Sequence, residues 1–174
     1  MNIRLKVASK AAYSNAMHDL LRFLLLLCLV VWLGGIGFFS VVEAPTILHV
    51  VRDRQLGGVI IRASLTQLHY IGITCGLIFL VISLRLNHIE TGAAKFFQLS
   101  NLLVLGKLAL TLMSQLVLLP AVESLRSRPL TPASIAQFER MHGWAVGLEA
   151  GTLIMGLGVL WLAGRRLRSV SRSS

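Results

Sequence analysis

Apolar residues in this chain come in four long blocks rather than in alternating stripes. The blocks cover about residues 20–46, 57–84, 96–122 and 141–164. Each exceeds the roughly 20 residues that a helix needs to cross a bilayer core. Apolar runs of this length argue for membrane-spanning helices. The connections between them are short and polar: RDRQ, RLNHIETGAAK and ESLRSRPLTPASIAQFER. Pro120 is expected to close the third block, since proline cannot donate to a helix ladder. Residues 1–19 read as a basic amphipathic segment lying at the interface, and 165–174 as a basic tail. The pattern predicts an all-α integral membrane four-helix bundle spanning residues 20–164.

Composition agrees. Of 174 residues, 55% are hydrophobic and 14% charged, and the mean hydropathy is +0.75. These values lie outside the range of ordinary soluble domains. A net charge of +10 would suit a nucleic-acid binder, but the basic residues cluster at the ends of the apolar blocks. That is where membrane topology is written, so nucleic acid is excluded and the bilayer is the expected partner. One side collects Arg4, Lys6, Lys10, Arg22, Arg85, Lys95, Arg165, Arg166, Arg168 and Arg172. The other collects Arg52, Arg54, Arg62, Arg126, Arg128 and Arg140. Ten against six places both termini in the cytoplasm. A cleaved leader is not expected. The first block is long for one, and its small-x-small candidate, Val42-Glu43-Ala44, is followed by Pro45. Cys28 and Cys75 have no paired spacing and read as buried small residues, neither disulfide nor metal ligands.

The chemistry lies in the few polar residues inside the blocks. Glu149 stands in the fourth, and a carboxylate at that depth costs roughly 2.5–3.5 kcal/mol on insertion scales. It therefore needs a partner or water. The second block carries Arg62, Thr66 and His69 on one helical face; the third carries Lys107, Thr111, Ser114 and Gln115 on one face. The fourth carries His142 and Glu149, and the first adds Ser40 and Glu43. At ~1.5 Å per residue, His69 and Glu149 both lie roughly 22–24 Å above the cytoplasmic ends, Gln115 roughly 27 Å and Lys107 roughly 15 Å. Lys107 is expected to pair with Glu149, because a lone ammonium near the midplane gains nothing. Arg62, His142 and Glu43 are expected nearer the outer interface. The candidate ligand-binding set is thus Glu43, Arg62, His69, Lys107, Gln115, His142 and Glu149.

Glycines mark candidate packing faces. Gly143, Gly147 and Gly151 form GxxxGxxxG on the fourth block, and Gly34, Gly35 and Gly37 lie on the first. Small residues let helices approach closely, within the bundle or between copies of the chain.

Four stretches carry a family resemblance: WLGGIGFFSVVEAP, RASLTQLHYIG, SQLVLLPAVESLR and FERMHGWAVGLEAG. Over about residues 20–164 the chain resembles the bacterial DUF4149 family, itself similar to the eukaryotic transmembrane protein 205. Ala145 stands where the family often has Ser. The resemblance implies a compact four-helix protein of the bacterial inner membrane without an established activity. The animal relatives are linked with platinum-drug resistance. More distantly, the four-span pattern is similar to copper-resistance D-type proteins and haem-dependent protoporphyrinogen oxidases.

Three functions remain open at this point. One is a membrane protein that binds or passes a small polar ligand or ion through an outward-facing polar cleft. A second is a haem or metal-linked redox protein, against which stands the roughly 9 Å difference in depth between His69 and His142. The third is a structural or assembly protein that docks through its glycine faces. The chain carries no Walker loop, HExxH helix, zinc spacing or catalytic triad, so no enzyme, metal site or cofactor is expected.

Overall fold

The computed structural model describes residues 2–92, 97–126 and 131–171. Lys95, Phe96, Arg128 and Arg172, which bear on the start of the third span and on the charge balance, lie outside these. The described chain is helical apart from short connections at residues 51–53, 92, 97–98 and 131. Helix α1 (Asn2–Phe38) passes through a π-helical turn, Phe39–Glu43, into α2 (Ala44–Val50). Helix α3 covers Arg54–Thr91. Helix α4 (Leu99–Met113) passes through a second π-helical turn, Ser114–Leu118, into α5 (Leu119–Arg126). Helix α6 covers Pro132–Ser171.

These form four apolar rods: Ala16–Val50, Gln55–Ile89, Leu99–Leu125 and Pro132–Arg165. Each is long and apolar enough to cross a membrane. Helix α1 packs on α3, α3 on α4, α4 on α6, and α6 back on α1, closing an up-down bundle. Much of the polar sequence between the apolar blocks is helical rather than loop. Helix α3 runs on through RLNHIET, and α6 begins at Pro132. The ends are capped locally. Asp53 Oδ1 accepts from the Gln55 and Leu56 amides at 2.8 and 3.3 Å. Thr131 and Ser134 cap α6 reciprocally, each amide donating to the other's hydroxyl at 2.9 and 3.2 Å. Gly92 ends α3 at φ +71, a conformation that favours glycine.

Pro120 does not end the third span; the helix continues to Arg126. The two π-helical turns explain how. One precedes Pro45 and the other Pro120, each ending two residues before the proline. A proline ring in a regular helix clashes with the carbonyl four residues back. Switching to i→i+5 bonds displaces that carbonyl. The bonds are present: the Ala44 amide donates to Phe39 O and the Leu119 amide to Ser114 O.

The core is built around Trp32, buried with Leu29, Ile36, Phe79, Leu80, Val104, Leu108 and Val159. Its indole lies against α3 where Gly72 and Gly76 offer no side chain. A Cβ at either position would come within 2.3 or 2.6 Å of the ring. On α6, Gly156 is similarly filled by Leu33 and the Lys107 ammonium, at 2.8 and 2.9 Å. Close packing therefore sits at Gly35, Gly72, Gly76 and Gly156. Gly34, Gly37, Gly143 and Gly147 meet nothing within 4 Å, while a Cβ at Gly151 would come within 3.2 Å of Leu110. The outside carries Phe23, Val41, Val81, Leu116, Ile154 and Trp161, all more than half exposed. Such a surface is suited to lipid rather than water.

Candidate functional site

Three of the four rods meet at one buried polar centre. His69 on α3 is 1% exposed. Its Nε2 lies 2.7 Å from Glu149 Oε1 on α6, and its Nδ1 lies 2.9 Å from Gln115 Oε1 in the second π-helical turn. Ser114, the neighbouring residue in that turn, donates its hydroxyl to the same Glu149 oxygen at 3.1 Å. Two consecutive polar residues, Ser114 and Gln115, thus reach one site from within the π-helical turn. One turn further along α6, the Thr152 hydroxyl donates to the Glu149 carbonyl at 2.9 Å. Hydrogen bonds at both nitrogens fix the imidazole plane and leave neither free to ligate a metal. Glu149 Oε2 is buried and has no hydrogen-bond partner.

Lys107 does not pair with Glu149. It is fully buried, its Nζ makes no hydrogen bond, and it sits 4.0 Å over the Trp32 ring. The reason is the direction of the helices. Side chains lean toward the N-terminus of their own helix. Helices α4 and α6 run antiparallel, so Lys107 leans toward one membrane face and Glu149 toward the other. The ammonium comes to rest beside Gly156, seven residues beyond Glu149 along α6 and therefore about 10 Å away along the axis. The indole face replaces the carboxylate as the neighbour of the cation.

Arg62 is two helical turns from His69 on the same face of α3. It forms an ion pair with Glu123 of α5 at 3.2 Å, both side chains roughly 40% exposed (43% and 38%). A shallow surface groove borders this end of α3, lined by Val59, Arg62, Ala63, Ser64, Thr66 and Gln67. His142 is exposed and stacks on Phe138, with ring centroids 6.1 Å apart. It does not join the centre. Glu43 is half-buried at the end of the first π-helical turn. The structure therefore brings together His69, Gln115 and Glu149, and sets Lys107 one layer away. Arg62 has a partner of its own, and His142 and Glu43 stand at the periphery.

Three participants were not in the candidate set. Ser114 belongs to the polar face of its span and was legible there. Trp32 reads as a core aromatic, and nothing in the sequence marks it as a platform for Lys107. Glu123 lies beyond Pro120 and drops out once the helix is expected to stop there. Toward the other end of the bundle, a second polar layer joins α3 to α4. The Ser83 hydroxyl donates to Asn101 Oδ1 at 2.7 Å, and the amides of Asn87 and Gln98 exchange hydrogen bonds at 3.1 and 3.0 Å.

A closed bundle of four apolar helices around a largely buried Glu-His-Gln centre defines a multi-pass integral membrane protein. The chain belongs to the DUF4149 family, a domain of unknown function, whose pattern matches residues 27–129, more than half of the chain. Neither the curated proteins nor the solved structures contain a match.

Proposed function

We propose that this protein binds or passes a small polar ligand or ion along a polar column inside the bundle, entered from the end that carries Arg62 and Glu123. One observation carries the reading. Two groups that are costly to bury, Lys107 Nζ and Glu149 Oε2, have no hydrogen-bond partner although both are shielded from solvent. Buried polar atoms without a partner are rare in proteins, and a bound ion or ligand is one of the things that accounts for them. In this reading Glu149, His69, Gln115 and Lys107 line the site. Arg62 and Glu123 flank its mouth, and His142 and Glu43 stand at the rim. The termini face the cytoplasm, the mouth faces outward, and the membrane is the bacterial inner membrane. No cofactor takes part.

Thiol accessibility tests this. In a Cys28→Ala/Cys75→Ala background, single cysteines at Thr66, Ser114 and Glu123 are exposed to a charged, membrane-impermeant thiol reagent in sealed vesicles. The expected result is labelling at all three from one side, with a lipid-facing control at Val81 left unlabelled. Labelling at Glu123 alone would overturn the column.

A second reading has its own support. His69 is fully bonded within the bundle, and Gly143 and Gly147 leave an open small-residue face on α6. Both suit a structural protein that fastens its helices at the Glu149 centre and assembles through α6. Failure of the labelling test would favour it.

A further inference from the structure

We propose that His69 is a proton-exchange site, held so that its ring is fully hydrogen-bonded both with and without its second proton. This rests on the polar-column reading and names the ion as the proton. A neutral imidazole has one N–H and one acceptor nitrogen; the imidazolium has two N–H groups. With Gln115 Oε1 at Nδ1 and a Glu149 carboxylate oxygen at Nε2, both neighbours can accept, and the ring form that donates to both is the imidazolium. Rotating the Gln115 amide half a turn places its NH2 where its oxygen was. That NH2 then donates to a bare Nδ1, while Nε2–H still donates to Glu149. The ring is now neutral, and both of its nitrogens keep a partner. A backbone carbonyl in place of Gln115 would fix Nδ1 as a donor. A side-chain amide, like a hydroxyl, can serve either role at one position.

The exchange is a simple proton transfer. Imidazole and hydronium give imidazolium and water, and no electrons move. Glu149 is the less buried partner, its side chain 12% exposed against 1% for His69. The charged groups around the ring are few. Helix α6 presents Glu149, which opposes the imidazolium charge. Helix α4 presents Lys107, held away over Trp32 of α1. Arg62 of α3 and Glu123 of α5 neutralise one another two turns away. Glu43 lies at the end of the first π-helical turn.

The test uses full-length protein in lipid nanodiscs with His18, His49, His88 and His142 replaced by Gln, leaving His69 as the single histidine. Ring ¹⁵N NMR is followed from about pH 5 to about pH 9, the range where histidine changes charge. The expected result is a reversible change between imidazolium and neutral signatures. Two variants move it in opposite directions. Gln115→Glu offers only acceptors and holds the ring charged to higher pH. Gln115→Met removes the acceptor of the second N–H and moves the change to lower pH. Each shift is expected to be about one pH unit or more. A ring that stays in one form throughout, or variants that titrate like the parent, would overturn the proposal. If thiol labelling succeeds while His69 does not titrate, the column stands and its ion is not the proton. If labelling fails, the column itself falls.

Discussion

Lys107 and Trp32 form a buried cation–aromatic pair, the ammonium 4.0 Å above the ring, with no carboxylate or carbonyl bonded to it. The indole is seated by Gly72 and Gly76, so two glycines of α3, an aromatic of α1 and a lysine of α4 form one packed unit. Removing Trp32 therefore does two kinds of damage. Trp32→Ala opens a core cavity and strips the ammonium of its neighbour. It is expected to cost about 3–5 kcal/mol, whereas Trp32→Phe, which keeps an aromatic face, costs distinctly less. Reversible unfolding of the purified protein in mixed micelles ranks the two. Equal losses would show that Lys107 draws nothing from the ring.

The glycines separate into two groups with opposite expectations. Gly72→Ala places a Cβ 2.3 Å from Trp32 Nε1, and Gly76→Ala one 2.6 Å from the same ring. Overpacking of this kind costs about 1–3 kcal/mol. Gly143→Ala meets nothing within 4 Å and is expected to be neutral or slightly stabilising in the isolated chain, alanine being the better helix former. The same unfolding assay compares them. A destabilising Gly143→Ala that also shifts the protein from oligomer to monomer on size exclusion would favour assembly through α6.

At the polar centre, Glu149→Ala leaves His69 buried without its 2.7 Å partner and is expected to cost about 3–5 kcal/mol. Glu149→Gln retains an oxygen for Nε2–H and for the Ser114 hydroxyl, and should cost much less. A double-mutant cycle of Glu149→Gln with His69→Gln measures the coupling. It is expected at or above the ~0.6 kcal/mol average of polar pairs between membrane helices. Additive single losses would mean that the bond contributes nothing.

Arg62 and Glu123 give the contrasting case. Their pair is partly exposed, so Glu123→Gln should change stability by less than about 1 kcal/mol. The change should shrink further as salt is added. An effect as large as that of Glu149→Ala would mean that the pair is more desolvated than its 43% and 38% exposures show.

Much of the architecture follows from the amino-acid sequence alone. Lipid admits only helices and closed barrels, and four apolar blocks of more than about 20 residues each have the length of helices rather than of barrel strands, so fold class and number of spans are set by hydropathy. The common depth of His69, Gln115 and Glu149 was legible too, because a helix advances by a constant rise per residue. Their meeting at 2.7 and 2.9 Å then requires only that the three spans be neighbours. Other features depended on the tertiary structure. Whether Lys107 meets Glu149 or Trp32 turns on the lean of side chains in antiparallel helices, which spacing along one chain does not contain. Whether Pro120 ends a helix or is absorbed by a π-helical turn depends on neighbours that reward continuing to Glu123. Which glycines are filled depends on what stands across from them: Trp32 lies opposite Gly72 and Gly76, and nothing lies opposite Gly143. Hydropathy and rise are properties of a single helix and can be read from it, whereas contact belongs to pairs of helices and exists only once they have packed.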